Sequence, residues 1–140
     1  MRISFGDSRN SDVKELEINR LSGQNSVLSI FNFEEIEFYP KRIFYVTTDE
    51  KVRRGNHAHR DCSQILLCIR GTIEIGLYDG FSKDKRVLTD KSKAILMPPG
   101  IWAYQEYKSD SVLLVAANRD YAEKDYIRDI KDFEGEKTKL

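Results

Sequence analysis

Short apolar runs separated by turn-forming residues make up most of the chain. Residues 26–37 and 41–47 are rich in Val, Ile, Phe and Tyr and are divided by Pro40. Residues 64–80, QILLCIRGTIEIGLYDG, are almost continuously apolar, with a break at Gly71 and a turn signal at the end. None of these segments has sustained helical periodicity, and β-branched and aromatic residues favour extended structure, so each is predicted to form strands.

The second half of the chain continues this pattern as far as the tail. Residues 81–102 carry a polar turn, a short strand and a Pro-Pro-Gly turn, and residues 111–118 supply another apolar strand. Eight to ten short strands without a long helix between them predict an all-β fold, an antiparallel barrel of the jelly-roll type. No repeat or linker divides residues 1–140, which are predicted to form one domain. In the tail, loosely helical spacing predicts a short C-terminal helix, with apolar positions Tyr121, Tyr126, Ile127, Ile130 and Phe133.

Charge and composition narrow the range of functions. The 23 basic and 23 acidic residues give a formal net charge of +0, so no global field attracts nucleic acid or an anionic membrane. The first residues lack a secretory signal and no run of about 18 apolar residues occurs, which predicts a cytoplasmic protein with no membrane or nucleic-acid partner. Cys62 and Cys68 lie on one predicted strand, too far apart for a disulfide, and are predicted to be structural.

His57 and His59 are the only histidines in the chain. An i, i+2 spacing on an extended segment directs both side chains to the same face of a sheet. Such a pair can line a polar surface, bind a metal or carry out acid–base chemistry, since an imidazole titrates near neutral pH.

The residues around the histidines argue against a metal. HAHRDCSQ resembles the first cupin motif, with Gln64 at the position of the carboxylate ligand, and PPGIWA resembles the second, with Ala103 at the position of a third histidine. Two imidazoles and a neutral amide offer too little charge and too few ligands for a divalent cation. The sequence therefore predicts metal-free proton transfer beside a carbonyl, for which a histidine is a suitable base.

Several stretches together resemble the dTDP-4-keto-6-deoxyglucose 3,4-ketoisomerases, small cupins related to the WxcM-like group. They are KRIFYV (41–46), RRGNHAHR (53–60), QILLCIRGTIEI (64–75), MPPGIW (97–102) and DYIRDIKDF (125–133). The resemblance implies a homodimer of cupin barrels that binds a dTDP-sugar without a metal or organic cofactor. It implies that the keto group moves from C4 to C3 through an enediolate, in deoxysugar biosynthesis for lipopolysaccharide or surface-layer glycans.

The same resemblance implies roles for single residues. His57, His59 and Tyr45 correspond to the family's catalytic groups, with His59 as the principal base, and Arg54 to its arginine. An arginine beside Gly55 can also bind a diphosphate bidentately, or can be a solvated loop charge. Tyr45 can equally be an ordinary barrel residue.

Three further side chains are candidates for substrate binding. Gln64 can hold a histidine tautomer, bond a sugar hydroxyl or be a satisfied strand amide. Trp102, and with it Tyr104, can lie over the thymine or the sugar, or can pack at the barrel mouth. Departures from the family pattern near Gln24 and at Ala103 leave the C4 configuration of the product open. Two rival functions remain, a nucleotide-sugar epimerase and a non-catalytic cupin that binds a sugar nucleotide.

Overall fold

The computed structural model describes residues 3–138. This part of the chain contains twelve β-strands, three 3₁₀ turns and one α-helix. The elements are β1 (Lys14–Leu16), β2 (Asn19–Gly23), β3 (Ser26–Ile30), β4 (Arg42–Thr47), β5 (Val52–His59), β6 (Gln64–Arg70), β7 (Thr72–Tyr78), β8 (Lys83–Thr89), β9 (Ala94–Met97), β10 (Trp102–Tyr107), β11 (Val112–Ala117), β12 (Tyr126–Ile127) and α1 (Ile130–Thr138).

Two five-stranded antiparallel sheets form the body of the molecule. The first sheet has the order β1-β9-β6-β11-β4 and the second has the order β12-β5-β10-β7-β8, while β2 and β3 form a separate hairpin. No strand pairing joins the two sheets within the described residues, so the barrel they outline is open. The predicted all-β class with a short C-terminal helix is confirmed.

The main core lies between the sheets and follows the alternation of the strands. On β7, Ile73, Ile75 and Leu77 point inward, and on β6 Leu66 and Cys68 do the same. Burying one such aliphatic side chain contributes about 1.5–3 kcal/mol. The inner faces of the two sheets therefore meet as one apolar layer.

Strand β6 reads as a continuous apolar run because both of its faces are covered. Ile65 and Leu67, which alternate with the inward residues, pack on the outer side with Phe38 and Ala116. Two-sided burial removes the polar alternation that a half-exposed strand shows.

Two sequence predictions about element boundaries need correction. The strand expected over residues 26–37 ends at Ile30, and a 3₁₀ turn at Glu34–Ile36 follows it. The helix of the tail is confined to Ile130–Thr138, whereas Tyr126–Ile127 forms β12 at the edge of the second sheet. A two-residue strand is too short to produce a periodic signal, so the apolar spacing on either side of it predicts only a helix.

The C-terminal helix packs on the outer face of the second sheet. Phe133 is fully buried there, in a cluster with Ala58, Trp102 and Ile127. On the next turn of α1, the buried Lys137 ammonium donates hydrogen bonds to the Phe5 carbonyl (2.8 Å), the Ser8 carbonyl (2.9 Å) and the Ser8 hydroxyl (3.0 Å). These contacts fasten the N-terminal segment to the helix.

The remaining structural predictions concern the thiols and membrane spans. Cys62 and Cys68 are free and buried, as predicted. Within residues 3–138, no helix has the length and apolarity needed to cross a bilayer.

Candidate active site

Both histidines of β5 point into the space between the sheets. His57 pairs with Ala103, an inward core residue of β10, whereas Ala58 lies on the outer face with Trp102. The imidazole centroids of His57 and His59 are 5.0 Å apart. The alternation of an extended strand therefore brings the two rings together on one face.

A β-bulge adds Arg54 to the same face. Arg54 pairs with Gln105, which alternates with Ala103 and so faces inward, and the register shifts at Gly55 and Asn56. Both bulge residues have positive φ, 91° at Gly55 and 61° at Asn56. An uninterrupted strand would place Arg54 and His57, three residues apart, on opposite faces; the extra residue of the bulge restores a common face.

His59 is held by a carboxylate and keeps one nitrogen free. Its Nδ1 lies 2.8 Å from Oδ2 of Asp125, whose Oδ1 accepts a hydrogen bond from the Asp61 backbone N–H at 2.7 Å. Burial raises the pKa of Asp125, but the hydrogen bonds from His59 and from Asp61 outweigh it and leave that pKa below its usual range. An ionised carboxylate accepts this hydrogen bond, so Nδ1 carries the proton, and in the neutral imidazole the lone pair is on Nε2.

That Nε2 atom is buried and has no hydrogen-bond partner among the described residues. His59 itself is only 6% exposed. A buried polar atom without a partner is costly in a native protein, and such atoms mark sites where a ligand completes the bonding. In its neutral form, His59 therefore directs a nitrogen that can accept a proton into the space between the sheets.

His57 has a different electrostatic environment from His59. Burial, followed by the neighbouring His59 ring and the Arg128 guanidinium, lowers the pKa of His57 to about 4. A hydrogen bond with the Gly55 backbone acts in the opposite direction, as a carbonyl acceptor would. His57 is thus neutral at neutral pH.

Tyr126 closes the other side of the histidine pair. It is paired with His59 in the β12–β5 ladder, and its ring centroid lies 4.5 Å from that of His59 and 5.0 Å from that of His57. The guanidinium carbon of Arg128 lies 4.3 Å from the centroid of the same ring. Cation–π contact of this kind holds the ring in place.

Arg42, the first residue of β4, lies next to Tyr126. Burial lowers the pKa of the guanidinium, but the adjacent Tyr126 hydroxyl and Cys62 thiol raise it, and the net shift is upward. The Nε atom of Arg42 is buried without a hydrogen-bond partner among the described residues. A permanent cation is therefore present beside the Tyr126 hydroxyl.

Gln64 shares the inner face with the histidines. It begins β6 and alternates with the inward residues Leu66 and Cys68. Gln64 and Arg42 both pair with Ala117 on β11, from opposite sides. The amide therefore lies in the same cross-strand row as the Arg42 guanidinium.

The structure separates three other predicted residues from the histidines. Tyr45 is 70% exposed on the outer face of β4, because Arg42 and Val46 occupy the inward positions of that strand. Trp102 and Tyr104 flank the inward Ala103 and therefore point outward. These placements correct the expectation that all three line the site with His57 and His59.

The outer-face contacts explain what these aromatic residues do in this chain. Trp102 packs against Phe133 of α1 with a centroid distance of 5.9 Å. The Tyr104 hydroxyl donates a hydrogen bond to Glu74 at 2.8 Å, and the Arg53 guanidinium carbon lies 3.9 Å from its ring centroid. In this chain, Trp102 therefore serves as a packing residue between the second sheet and α1.

Asp125, Tyr126 and Arg42 were not identified from the sequence as site residues. Asp125 and Tyr126 lie in a stretch whose apolar spacing suggests a helix, and 66 residues separate Asp125 from His59. The only sequence signal for them is that both DYIRDIKDF and KRIFYV belong to the family resemblance. Gln24 lies in the exposed turn between β2 and β3. Its influence on the C4 configuration of the product stays a prediction.

One cluster offers metal-ligand atoms. His59, Cys62 and Asp125 each place one such atom within 4.8 Å of the others. Burial, and then the Asp125 charge, raises the pKa of the Cys62 thiol, and the Arg42 guanidinium lies beside it. A protonated thiol and an adjacent cation both oppose binding of a divalent ion. The absence of a catalytic metal stays a prediction.

Comparisons with known proteins agree with one another. The family model described as "FdtA: WxcM-like, C-terminal" matches residues 11–138. A curated relative from Aneurinibacillus thermoaerophilus, named TDP-4-oxo-6-deoxy-alpha-D-glucose-3,4-oxoisomerase, is 30% identical over 115 residues, which cover 81% of this chain and 83% of the relative.

Two solved structures extend the similarity to the whole fold. WlaRA, a TDP-fucose-3,4-ketoisomerase from Campylobacter jejuni, superposes with a TM-score of 0.82 at 32% identity, covering 92% of this chain and 98% of its own. The 3,4-ketoisomerase QdtA from Thermoanaerobacterium thermosaccharolyticum, a histidine-to-asparagine mutant in complex with TDP-4-keto-6-deoxyglucose, gives a TM-score of 0.82 at 28% identity, covering 91% and 95%.

Proposed function

Because the chain belongs to the WxcM-like, C-terminal family described as FdtA, we propose that it is a 3,4-ketoisomerase of TDP-linked 4-keto-6-deoxy sugars. The substrate in this proposal is TDP-4-keto-6-deoxyglucose, and the reaction moves the keto group from C4 to C3. The observation that carries the proposal is the His59–Asp125 pair, which leaves a buried, unpartnered Nε2 in the space between the sheets.

The reaction begins with removal of the C3 proton. The C4 carbonyl acidifies that proton, and Nε2 of His59 accepts it while the C–H electron pair forms the C3–C4 double bond. The carbonyl electrons move to the C4 oxygen, which gives an enediolate. Asp125, through Nδ1, stabilises the imidazolium that results, as a carboxylate does in other histidine bases.

The second half of the reaction returns a proton to C4. The imidazolium of His59 donates to C4, the C3 hydroxyl loses its proton, and the C3 carbonyl forms. In sum one hydrogen moves from C3 to C4 and one from the C3 oxygen to the C4 oxygen. No net oxidation occurs, so the reaction requires no external electron acceptor.

Two further residues complete the proposed binding site. Arg54 reaches the inner face through the bulge and supplies a cation for the diphosphate, as its bidentate donors suit phosphate oxygens. Gln64 lies on the same face with an amide that can bond a sugar hydroxyl. We propose His59, with His57 beside it, as the catalytic group and Arg54 and Gln64 as substrate-binding groups.

The rival functions have less support. An epimerase uses the same kind of base, but the relatives at 28–32% identity are named ketoisomerases. A non-catalytic binding protein has no use for a histidine whose tautomer is fixed by a buried carboxylate. The cytoplasmic location and the lack of nucleic-acid partners expected from the sequence are retained as parts of the proposal.

A homodimer is also part of the proposal. A groove on the outer side of the first sheet, about 400 Å³ in volume, lies between that sheet and the β2–β3 hairpin and includes Phe31, Ile43 and Ile69. Ile43 is 69% exposed and Ile69 is 53% exposed. In addition, β4 is an edge strand of the first sheet. Exposed apolar residues next to a free strand edge suit a second copy of this chain.

The decisive experiment follows hydrogen at individual carbons. In deuterated water, the wild-type protein is expected to convert TDP-4-keto-6-deoxyglucose to its 3-keto isomer and to introduce deuterium at C4 of the product. His59→Asn is expected to lower both turnover and exchange at C3 by about 10²–10⁴-fold, because it removes the base. The matched control is Tyr39→Phe, at a residue that is 73% exposed.

Each alternative gives a different result in that experiment. Deuterium at C5 without a 3-keto product indicates an epimerase, and tight binding of the sugar nucleotide without turnover indicates a binding protein. A folded His59→Asn variant with wild-type exchange at C3 would show that His59 is not the base.

A further inference from the structure

The proposed reaction requires two proton movements, and His59 provides for only one of them. Its single free nitrogen serves the carbon-bound proton, since Nδ1 is bonded to Asp125. The movement of a proton from the C3 oxygen to the C4 oxygen needs a second group that both donates and accepts. A hydroxyl group beside His57 and His59 would meet this requirement.

His57 is poorly suited to this requirement. Burial and the neighbouring His59 ring lower its pKa to about 4, so at neutral pH it carries no imidazolium proton to donate. A neutral imidazole loses its remaining N–H proton far less readily than a phenol does. His57 is therefore a poor proton donor to the enediolate oxygen.

Tyr126 does meet the requirement. Its ring contacts both imidazoles, and its hydroxyl has the Arg42 guanidinium beside it. The Arg128 guanidinium covers the ring and is itself fixed to Glu123 by two hydrogen bonds of 2.6 and 3.0 Å. A hydroxyl with a guanidinium beside it can donate its proton and accept it back, because the cation stabilises the negative charge that forms on the oxygen during the transfer.

We propose that Tyr126 is a catalytic residue that transfers the proton between the two sugar oxygens, with Arg42 stabilising its phenolate. The inference rests on the proposed ketoisomerase function. The Tyr126 hydroxyl donates its proton to the C4 oxygen of the enediolate and gives an enediol. The phenolate then accepts the proton of the C3 hydroxyl, which leaves the enediolate charge on the C3 oxygen. Protonation of C4 by His59 completes the product, and Tyr126 is regenerated.

This assignment separates carbon exchange from isomerisation. Tyr126→Phe retains His59 and so continues to remove the C3 proton and return a deuteron to it, but it cannot move the charge to the C3 oxygen. In deuterated water we expect the ratio of C3 deuteration in recovered substrate to 3-keto product to rise at least about tenfold over wild type, as general-acid loss typically costs 10² or more. TDP affinity is the control for an intact site.

A second variant tests the same step independently. Arg42→Gln retains the phenol and removes the adjacent cation, so the same ratio is expected to rise, by a smaller factor. This variant also decides the matter if Tyr126→Phe does not fold.

One result would overturn the assignment while leaving the proposed function intact, and that is an unchanged ratio in Tyr126→Phe. If exchange and product are both lost to the same extent, the ratio is unchanged and Tyr126 only positions His59. By contrast, wild-type protein that forms no 3-keto product would refute the proposed function itself.

Discussion

At the scale of single residues, two identical side chains have acquired different properties. His59 is hydrogen-bonded to Asp125 and keeps a free nitrogen. His57 has no carboxylate partner within residues 3–138, and burial and neighbouring positive charge keep it neutral. The difference comes from what the later part of the chain places beside each ring. Position within a motif therefore does not determine the role of a histidine.

The lowered pKa of His57 predicts a specific pH dependence of stability. The imidazole titrates at about 4 in the folded protein and at 6.5 when unfolded, so the unfolded chain binds more protons between these values. Stability is complete above the unfolded pKa and falls as the pH drops toward the folded one. Between about pH 7 and pH 4.5, the free energy of unfolding of the wild type should fall further than that of His57→Asn, by about 1–3 kcal/mol.

Urea unfolding at a series of pH values measures this effect. Groups that do not interact with His57 titrate alike in both proteins and cancel in the comparison. Parallel curves for wild type and His57→Asn would contradict the assignment of a depressed pKa to His57.

The sequence identified only part of the site at this scale. The strand period alone was enough to place His57 and His59 together. It could not reveal Asp125 or Tyr126, because a side chain contributed from 66 residues away leaves no local pattern. It also misplaced Tyr45, since the face of an edge strand depends on which residues its neighbours bury.

At the scale of elements, the bulge in β5 and the fastening of α1 position the site. The bulge puts Arg54 on the face of the histidines. Its one extra residue, and the positive φ at Gly55 and Asn56, can be inferred from the Gly-Asn sequence only once the pairing of β5 with β10 is known. Helix α1 covers Ala58 and Ile127 from outside. It therefore supports the two strands, β5 and β12, that carry the proposed catalytic side chains.

Lys137 is predicted to stabilise this arrangement. Lys137→Ala removes three hydrogen bonds to Phe5 and Ser8 and leaves buried acceptors without partners, so we expect a loss of about 2–4 kcal/mol in the free energy of unfolding. Lys131→Ala, on the exposed side of the same helix, should change it by less than about 0.5 kcal/mol. Equal effects of the two variants in thermal or urea unfolding would show that the contacts of Lys137 add nothing.

At the scale of the whole molecule, the all-β class could be predicted because nearly every long apolar run is a strand. The continuous pattern of β6 and the alternation of β7 both follow from which faces are covered. What could not be predicted is the open barrel, since closure depends on pairing between strands distant in sequence. The separation of the β2–β3 hairpin from both sheets could not be predicted for the same reason, since it too depends on which distant strands pair.

The proposed dimer gives a test at this scale. Ile69→Asp introduces a charge into the outer groove and is expected to convert a dimer to a monomer, because an unpaired buried charge is costly at an interface. Val87→Asp, at a residue that is 56% exposed on β8 of the other sheet, is the matched control and should remain dimeric. Sedimentation velocity distinguishes the two. A wild-type protein that sediments as a monomer would contradict the proposal.

The shortness of β12 has a consequence for how the protein unfolds in denaturant. Only two residues pair it with β5, yet this segment carries Tyr126 and follows directly on Asp125. Segments held by few hydrogen bonds open locally at a lower free energy than the global fold. Detachment of β12 leaves the first sheet and the other four strands of the second sheet paired, but it removes the carboxylate partner of His59. Rising denaturant should therefore yield a population of folded but catalytically silent molecules before the sheets themselves come apart.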